Sequence, residues 1–152
     1  MVNQNIYTRP MEITAEHIMT EDVETIKPDM LVGDLAHIML RKGFNGFPVV
    51  DNDRLIGIVT FTDLFNLLHG VEYENINNDT NALHQKIIQL KQWPVSKIMT
   101  TDVKTVSPTT TLSEIIEYVV IQKIHTFPVI SNGKVVGILG REDVLNATFS
   151  YG

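Results

Sequence analysis

Two octapeptides carry the residues that invite chemistry. In GIVTFTDL, Gly57 to Leu64, an apolar run ends in Thr60, and Asp63 follows three residues later. An ionised carboxylate only accepts hydrogen bonds and has two oxygens, so one aspartate can take both hydrogens of a vicinal diol. Hydrogen bonds to charged groups are the stronger kind, about 1.5–3 kcal/mol each. The same residues also fit a plain helix start, with Thr60 or Thr62 as the cap and Asp63 at the positive helix end. The octapeptide alone leaves both explanations open. In GILGREDV, Gly137 to Val144, Asp143 holds the matching place, but Gly140 stands where Thr60 would be and Arg141 where Phe61 would be. A planar guanidinium there suits bidentate contact with phosphate oxygens, so the two places are expected to differ in ligand or affinity.

Other chemistry is scarce. The chain has no cysteine, which excludes disulfides and Cys-ligated metal sites and fits a reducing cytosol. There is no Gly-x-Ser-x-Gly elbow, P-loop or His-Glu-x-x-His motif. Asp63 and Asp143 belong to separate related sites and form no acid–base pair by spacing. His17, His37, His69 and His84 show no metal-ligand spacing with carboxylates. The expectation is a protein that is not an enzyme and holds no metal.

Charge and hydropathy narrow the partners. The 152-residue chain carries a formal net charge of −6 with no basic run, a poor footing for nucleic acid, whose phosphates must be neutralised. Its apolar runs fall far below the ~20 residues of a membrane span. The start, MVNQNIYTRPMEI, lacks the basic and apolar regions of a signal peptide. A cytoplasmic location with no membrane association is expected.

The elements that must position these residues follow from an internal repeat. IMTEDVETIKP (Ile18–Pro28) matches IMTTDVKTVSP (Ile98–Pro108), FPVVDN (Phe47–Asn52) matches FPVISN (Phe127–Asn132), and GIVTFTDL matches GILGREDV, all at an offset of 80 residues. No gap is needed between Ile18–Asn66 and Ile98–Asn146, and 15 of the 49 aligned positions are identical. Each copy reads β-α-β-β-α. Strands are predicted over Val23–Lys27, Phe47–Val50 and Leu55–Val59, and over Val103–Val106, Phe127–Ile130 and Val135–Leu139. Leu31, Leu35, Ile38 and Met39 fall at helical spacing with Gly43 as the helix end, and Leu112–Gln122 is the matching helix. Asp51-Asn52-Asp53 and Ser131-Asn132-Gly133 read as hairpin turns. The last helices run from Thr62 or Asp63 to about His69, and from about Glu142. The predicted organisation is a first repeat at 12–69, a linker at 70–94 and a second repeat at 95–149. Within the linker, Asn75 to Thr80 suggests a loop and Asn81–Trp93 a packing helix with Leu83, Ile87, Ile88 and Leu90 on its apolar side. One copy buries too little surface to stand alone, so two copies are expected to cover each other's apolar faces.

In order, duplication and element pattern, these motifs resemble the CBS-domain pair, or Bateman module, over about residues 12 to 149. The resemblance implies an α/β (α+β) fold of two β-α-β-β-α repeats packed sheet to sheet with pseudo-two-fold symmetry. It also implies a regulatory protein that binds an adenosine ligand (AMP, ADP, ATP or S-adenosylmethionine) in clefts between the repeats, forms a homodimer and signals to a partner protein. For the first cleft it implies Thr20, Val23, Asn45, Gly46, Phe47, Pro48, Thr60 and Asp63. KIHTFPV further resembles the matching stretch of the nucleotide-sensing γ subunit of AMP-activated kinase, where a histidine three before the proline meets phosphate. That assigns His125 to the Asp63 cleft. For the second cleft the resemblance implies Thr100, Val103, Thr126, Phe127, Pro128, Arg141 and Asp143. The loss of the Thr60 hydroxyl at Gly140 makes the Asp63 cleft the more typical ribose site. It also leaves a reading of another class, a ligand-free interaction or dimerisation module.

Overall fold

The computed structural model describes residues 12–42, 46–73 and 80–150. The helices are α1 (Ala15–Ile18), α2 (Val32–Lys42), α3 (Phe61–Tyr73), α4 (Thr80–Lys91), α5 (Leu112–Ile121) and α6 (Arg141–Ser150). A 3-10 turn, η1, covers Val95–Lys97. The strands are β1 (Gly46–Asp51), β2 (Arg54–Thr60), β3 (Thr126–Ser131) and β4 (Lys134–Gly140).

Each repeat contributes one antiparallel hairpin, β1–β2 and β3–β4, with Pro48 opposite Ile58 and Pro128 opposite Ile138. Both hairpins turn through two residues of positive φ, Asn52 and Asp53 in one, Asn132 and Gly133 in the other. Those residue types tolerate the left-handed region, and the resulting turn matches the twist of paired strands. The hairpin registers repeat residue for residue, including a shift after Val49 and after Val129.

The strands predicted at Val23–Lys27 and Val103–Val106 shrink to single parallel bridges, Ile26 to Val49 and Val106 to Val129. In the first, Ile26 donates to the Pro48 carbonyl at 3.0 Å and accepts from the Val50 amide at 2.9 Å. Pro28 has no N–H to continue the ladder, and Val23 is already held in a local turn by the Glu21 carbonyl at 2.9 Å. The predicted helix ends also move: α3 continues through Gly70 to Tyr73, and α6 begins at Arg141. The proposed helix end at Gly43, and the loop residues up to Asp79, lie outside the described residues.

The chain divides into two units. One joins the segment ending at Val23 to residues from Lys104 onward; the other runs from Glu24 to Val103. These units do not coincide with the repeats read from the sequence, because each repeat's leading segment lies in the unit of the other repeat. Ala15 is fully buried in the cluster built on Val106, Ile115, Phe127, Val129 and Leu139. Val95 is fully buried in the cluster of Ile26, Leu35, Met39, Phe47, Val49 and Val59. Backbone bonds fix the same exchange. Thr20 and Ile138 exchange both N–H···O bonds at 2.9 and 3.0 Å, and Thr100 and Ile58 do so at 2.8 and 2.9 Å.

Glycine makes the exchange possible. A Cβ on Gly57 would lie 2.7 Å from Met99 Sδ and 2.9 Å from the Thr100 carbonyl, and a Cβ on Gly137 would meet the Met19 side chain. Each sheet therefore has a notch without a side chain, filled by the thioether of the incoming segment. The adaptable methionine side chain suits such an irregular gap.

The 70–94 region is part of the second unit's framework. The Val32 amide donates to the Trp93 carbonyl at 2.8 Å, and the Val95 amide to the Met30 carbonyl at 2.7 Å. In α4, Leu90 is buried, whereas Leu83 and Ile88 are exposed, so the apolar side is narrower than its spacing predicts. Helices α2 and α4 meet at Gly33, where a Cβ would lie 3.0 Å from Lys91 Cβ.

Two stability predictions follow from these contacts. Gly57→Ala should cost about 1–3 kcal/mol by overpacking, read as a lower urea midpoint with unchanged slope, because a backbone carbonyl blocks one side of the notch. In α5, the Thr111 side chain accepts from the Glu114 amide at 3.2 Å, and Glu114 accepts from the Thr111 amide at 3.1 Å. Thr111→Ala removes one half of this capping box and should cost roughly 1 kcal/mol in the same measurement.

Candidate functional site

The last residue of each hairpin has a backbone N–H facing the first turn of the helix that follows. In the Glu24–Val103 unit, the Thr60 N–H donates to Asp63 Oδ2 at 2.7 Å, and the Thr60 hydroxyl reaches the same oxygen at 3.3 Å. In the other unit, the Gly140 N–H donates to Asp143 Oδ2 at 2.7 Å. Both aspartates stand third in their helices, where an acidic side chain reaching back satisfies an orphan amide and sits at the favourable helix end. The plain structural explanation of the octapeptides therefore holds for one oxygen of each carboxylate. What the second oxygen meets is what separates the two places.

Asp63 Oδ1 accepts from the Thr100 hydroxyl at 2.8 Å. The Asp63 side is thus closed: both oxygens are taken, and the residue is only 8% exposed. Thr100 arrives there on the leading segment of the second repeat, held by its bridge to Ile58. The sequence grouping, Thr20 with Asp63 and Thr100 with Asp143, is corrected here. The Met99 thioether packs at Gly57 and Met19 at Gly137, so each threonine is delivered to the other copy's hairpin. Val23 likewise lies in the unit of Asp143, at its boundary, and Val103 in that of Asp63.

Asp143 is different. Among the described residues, no donor meets its Oδ1, and no hydrogen bond joins it to the Thr20 hydroxyl. No buried polar side-chain atom among these residues lacks a partner, so this oxygen is open to solvent. Partial burial pushes the Asp143 carboxyl above the usual carboxylate range; the Gly140 N–H opposes this and the neighbouring Glu142 charge adds to it. Asp143 borders a cavity of about 280 Å³ together with His17, Ile18, Asn146, Ala147 and Ser150.

The remaining expected residues fall as follows. Asn45 lies outside the described residues. Gly46 begins β1 opposite Thr60, and Thr126 begins β3 opposite Gly140. Phe47, Pro48, Phe127 and Pro128 have fully buried side chains; the phenylalanines belong to the two core clusters. His125 lies in the unit of Asp143, where its carbonyl accepts the Arg141 N–H at 3.0 Å. Arg141 is exposed at the start of α6.

Sequence reasoning missed His17, Asn146 and Ser150. Their signal lay in the repeat alignment. Asn146 matches Asn66, but Ala147 stands where the first repeat has Leu67, Ser150 where it has Gly70, and His17 where the second has Lys97. Ala147, with only a methyl where the first repeat has a leucine, borders the cavity beside Asp143. Among the described residues, no group of three His, Asp or Glu side chains is placed to hold a metal ion. None of the described helices is long and apolar enough to cross a membrane.

The chain matches the CBS domain family at residues 15–70 and 95–150. It is 33% identical over 135 residues to the uncharacterized protein MJ1225 of Methanocaldococcus jannaschii, covering 88% of this chain and 46% of that one. The solved structure of MJ1225 superposes with a TM-score of 0.76 at 27% identity, over 97% of this chain and 51% of the other. It is 27% identical to the inosine-5'-monophosphate dehydrogenase of the same organism, covering 86% of this chain but 23% of the enzyme. The chain thus spans about half the length of MJ1225 and about a quarter of the dehydrogenase. The CBS-pair protein CBSX2 of Arabidopsis thaliana matches over 93% of this chain and 97% of its own, with 27% identity and a TM-score of 0.73. CBSX2 has also been solved in complex with AMP, and that structure matches at 26% identity with a TM-score of 0.71, over 91% of this chain and 98% of the other. Matched in both repeats and over most of its length, the chain belongs to the CBS domain family.

Proposed function

We propose that this chain is a regulatory adenine-nucleotide sensor, binding AMP, ADP or ATP at its strand–helix junctions and signalling to a partner protein by a change of conformation. One observation carries the reading. Both repeats place an aspartate at the same junction, each with one oxygen anchored by a backbone N–H. An anchored carboxylate is a pre-oriented acceptor for a ribose diol, and pre-orientation lowers the cost of binding. The complex of the related CBSX2 with AMP supports the ligand class. Arg141 and His125, both exposed in one unit, would supply donors toward phosphate that a net charge of −6 does not offer broadly. S-adenosylmethionine presents the same ribose and belongs among the ligands to be compared. A ligand shifts the conformation only by its differential affinity for the two states, so the signal depends on contacts made in one state and not the other.

A ligand-free interaction or homodimerisation module is the second reading. It is favoured by the closed hydrogen bonding of Asp63, which leaves that carboxylate without a free oxygen.

Thermal unfolding with AMP, ADP, ATP and S-adenosylmethionine separates the two. A ligand at about 100 times its dissociation constant adds about 2.7 kcal/mol to folded stability and raises the midpoint accordingly. The expected result is such a rise with at least one nucleotide, absent in the folded double variant D63N/D143N. A folded wild type that shows no rise with any of the four ligands refutes the nucleotide reading and leaves the interaction module.

A further inference from the structure

Each leading segment is seated on its hairpin by a sulfur. Met19 fills the notch at Gly137, and Met99 fills the notch at Gly57, where a Cβ on the glycine would lie 2.7 Å from Met99 Sδ. The amides around both sulfurs are already engaged. The Met99 N–H donates to the Val95 carbonyl at 3.0 Å, and Thr100 and Ile58 bond each other twice. The Met19 N–H donates to the Ala15 carbonyl at 2.9 Å, and Thr20 and Ile138 also bond each other twice. A thioether suits such a place, because it is soft, adaptable and only a weak acceptor. One added oxygen would reverse that fit, since a sulfoxide is polar and its oxygen needs a donor. The backbone atom nearest Met99 at the notch is the Thr100 carbonyl oxygen, another acceptor. Burying a polar oxygen there without a hydrogen bond is costly. Both sulfurs are within reach of an oxidant: Met19 and Met99 are half-buried, whereas Met39 is fully buried in a core cluster. The chain has no cysteine, so no thiol of its own competes.

We infer that Met19 and Met99 are modification sites for hydroperoxides, and that their sulfoxides unseat the two leading segments from their hairpins. In the reaction a sulfur lone pair attacks one peroxide oxygen and the O–O bond breaks. That oxygen stays on sulfur, and its proton passes to the leaving oxygen. Hydrogen peroxide leaves as water and an organic hydroperoxide as an alcohol; sulfur gives up two electrons and the peroxide takes them. Methionine sulfoxide reductases, one for each epimer, reverse the change with a thiol reductant. The oxidised side chain leaves its notch for solvent, and the glycine is left bare. The two sites release different things. Thr100 follows Met99 directly, and its hydroxyl holds Asp63 at 2.8 Å, so unseating at Gly57 also frees that carboxylate. The Met19 segment carries no matching bond to Asp143 among the described residues. The inference stands apart from the nucleotide reading, because it concerns only how the segments are held.

The test doses the full chain with hydrogen peroxide. Peptide mass spectrometry reads oxidation at each methionine, beside amide hydrogen exchange and urea unfolding. Met19 and Met99 should oxidise at least about tenfold faster than Met39, as exposure dictates. Exchange at the Thr20, Ile138, Thr100 and Ile58 amides should then quicken by about tenfold or more as the segments open. The urea midpoint should fall, and reductase treatment should restore both readings. M19L/M99L conserves volume without an oxidisable sulfur and should keep its own midpoint under the same dose. Met99→Gln places a polar group in one notch. It should quicken exchange at Thr100 and Ile58 with no oxidant, and leave Thr20 and Ile138 as in the wild type. The inference is overturned if Met39 oxidises as fast as the notch methionines, or if the oxidised chain keeps wild-type protection at the four amides. It is equally overturned if M19L/M99L loses its midpoint as the wild type does, or if Met99→Gln leaves Thr100 fully protected. Should M19L/M99L not fold, the exchange readings of the oxidised wild type and of Met99→Gln decide.

Discussion

The structure depends on one small satisfaction problem, solved twice. At the end of each hairpin the backbone leaves the ladder and enters a helix, and the N–H at that corner has no strand partner left. An aspartate three residues on supplies the acceptor at 2.7 Å in both units. An unmet buried amide costs about 1–3 kcal/mol, so this partly buried bond contributes to folded stability before any ligand is considered. It also explains why the corner suits recognition. A carboxylate pinned through one oxygen can present the other in a fixed direction, at the open end of a sheet and the positive end of a helix. Cap and proposed site are two oxygens of one group.

From that shared corner the units diverge through what the exchanged segment brings. In one, Thr100 closes the second oxygen of Asp63; in the other, Thr20 keeps its backbone bridge to Ile138 but makes no bond to Asp143 among the described residues. Leu67 lines a groove with the helices of its own unit, whereas Ala147 at the matching place borders the small polar cavity. A duplicated sequence has in this way produced one satisfied carboxylate and one with spare capacity. The difference rests on a hydroxyl and three carbons, while the hairpin registers stay identical.

Much of this was legible in the residues. The hairpins were, because Asn52-Asp53 and Asn132-Gly133 belong to the few pairs that accept two positive φ angles in succession. The aspartate corners were, because duplication placed the same residue at the same strand end. What could not be read was which hairpin each leading segment joins. IMT at 18–20 and at 98–100 is identical, and both hairpins offer a glycine notch and an apolar strand. Periodicity has no term for that choice. It is settled by the tertiary contacts of Ala15 and Val95, each buried in the other repeat's core. The same ambiguity misassigned Thr20 and Thr100. The short helix α1 escaped notice because four residues carry no periodicity, though His17 reaching back to the Thr14 amide is a local sign of it.

The exchange gives the closed aspartate a mechanical meaning. Thr100 lies three residues before the point, after Val103, at which the chain leaves one unit for the other. Its backbone is fixed to Ile58 by two hydrogen bonds, its neighbour Met99 fills the Gly57 notch, and its hydroxyl holds Asp63. Of these three attachments, the hydroxyl bond is the one a small molecule can replace without unfolding the sheet. Breaking it while the other two persist changes the side-chain rotamer of Thr100, a step of small cost within the staggered wells. Losing all three frees the segment that crosses between units. The two outcomes differ by the burial of a methionine thioether and two ladder bonds, several kcal/mol by ordinary magnitudes. A ligand held by a few hydrogen bonds has energy enough for the first step and little to spare for the second. A small molecule that replaced the hydroxyl bond at the Asp63 corner would therefore exchange a side-chain contact and leave the sheet in place.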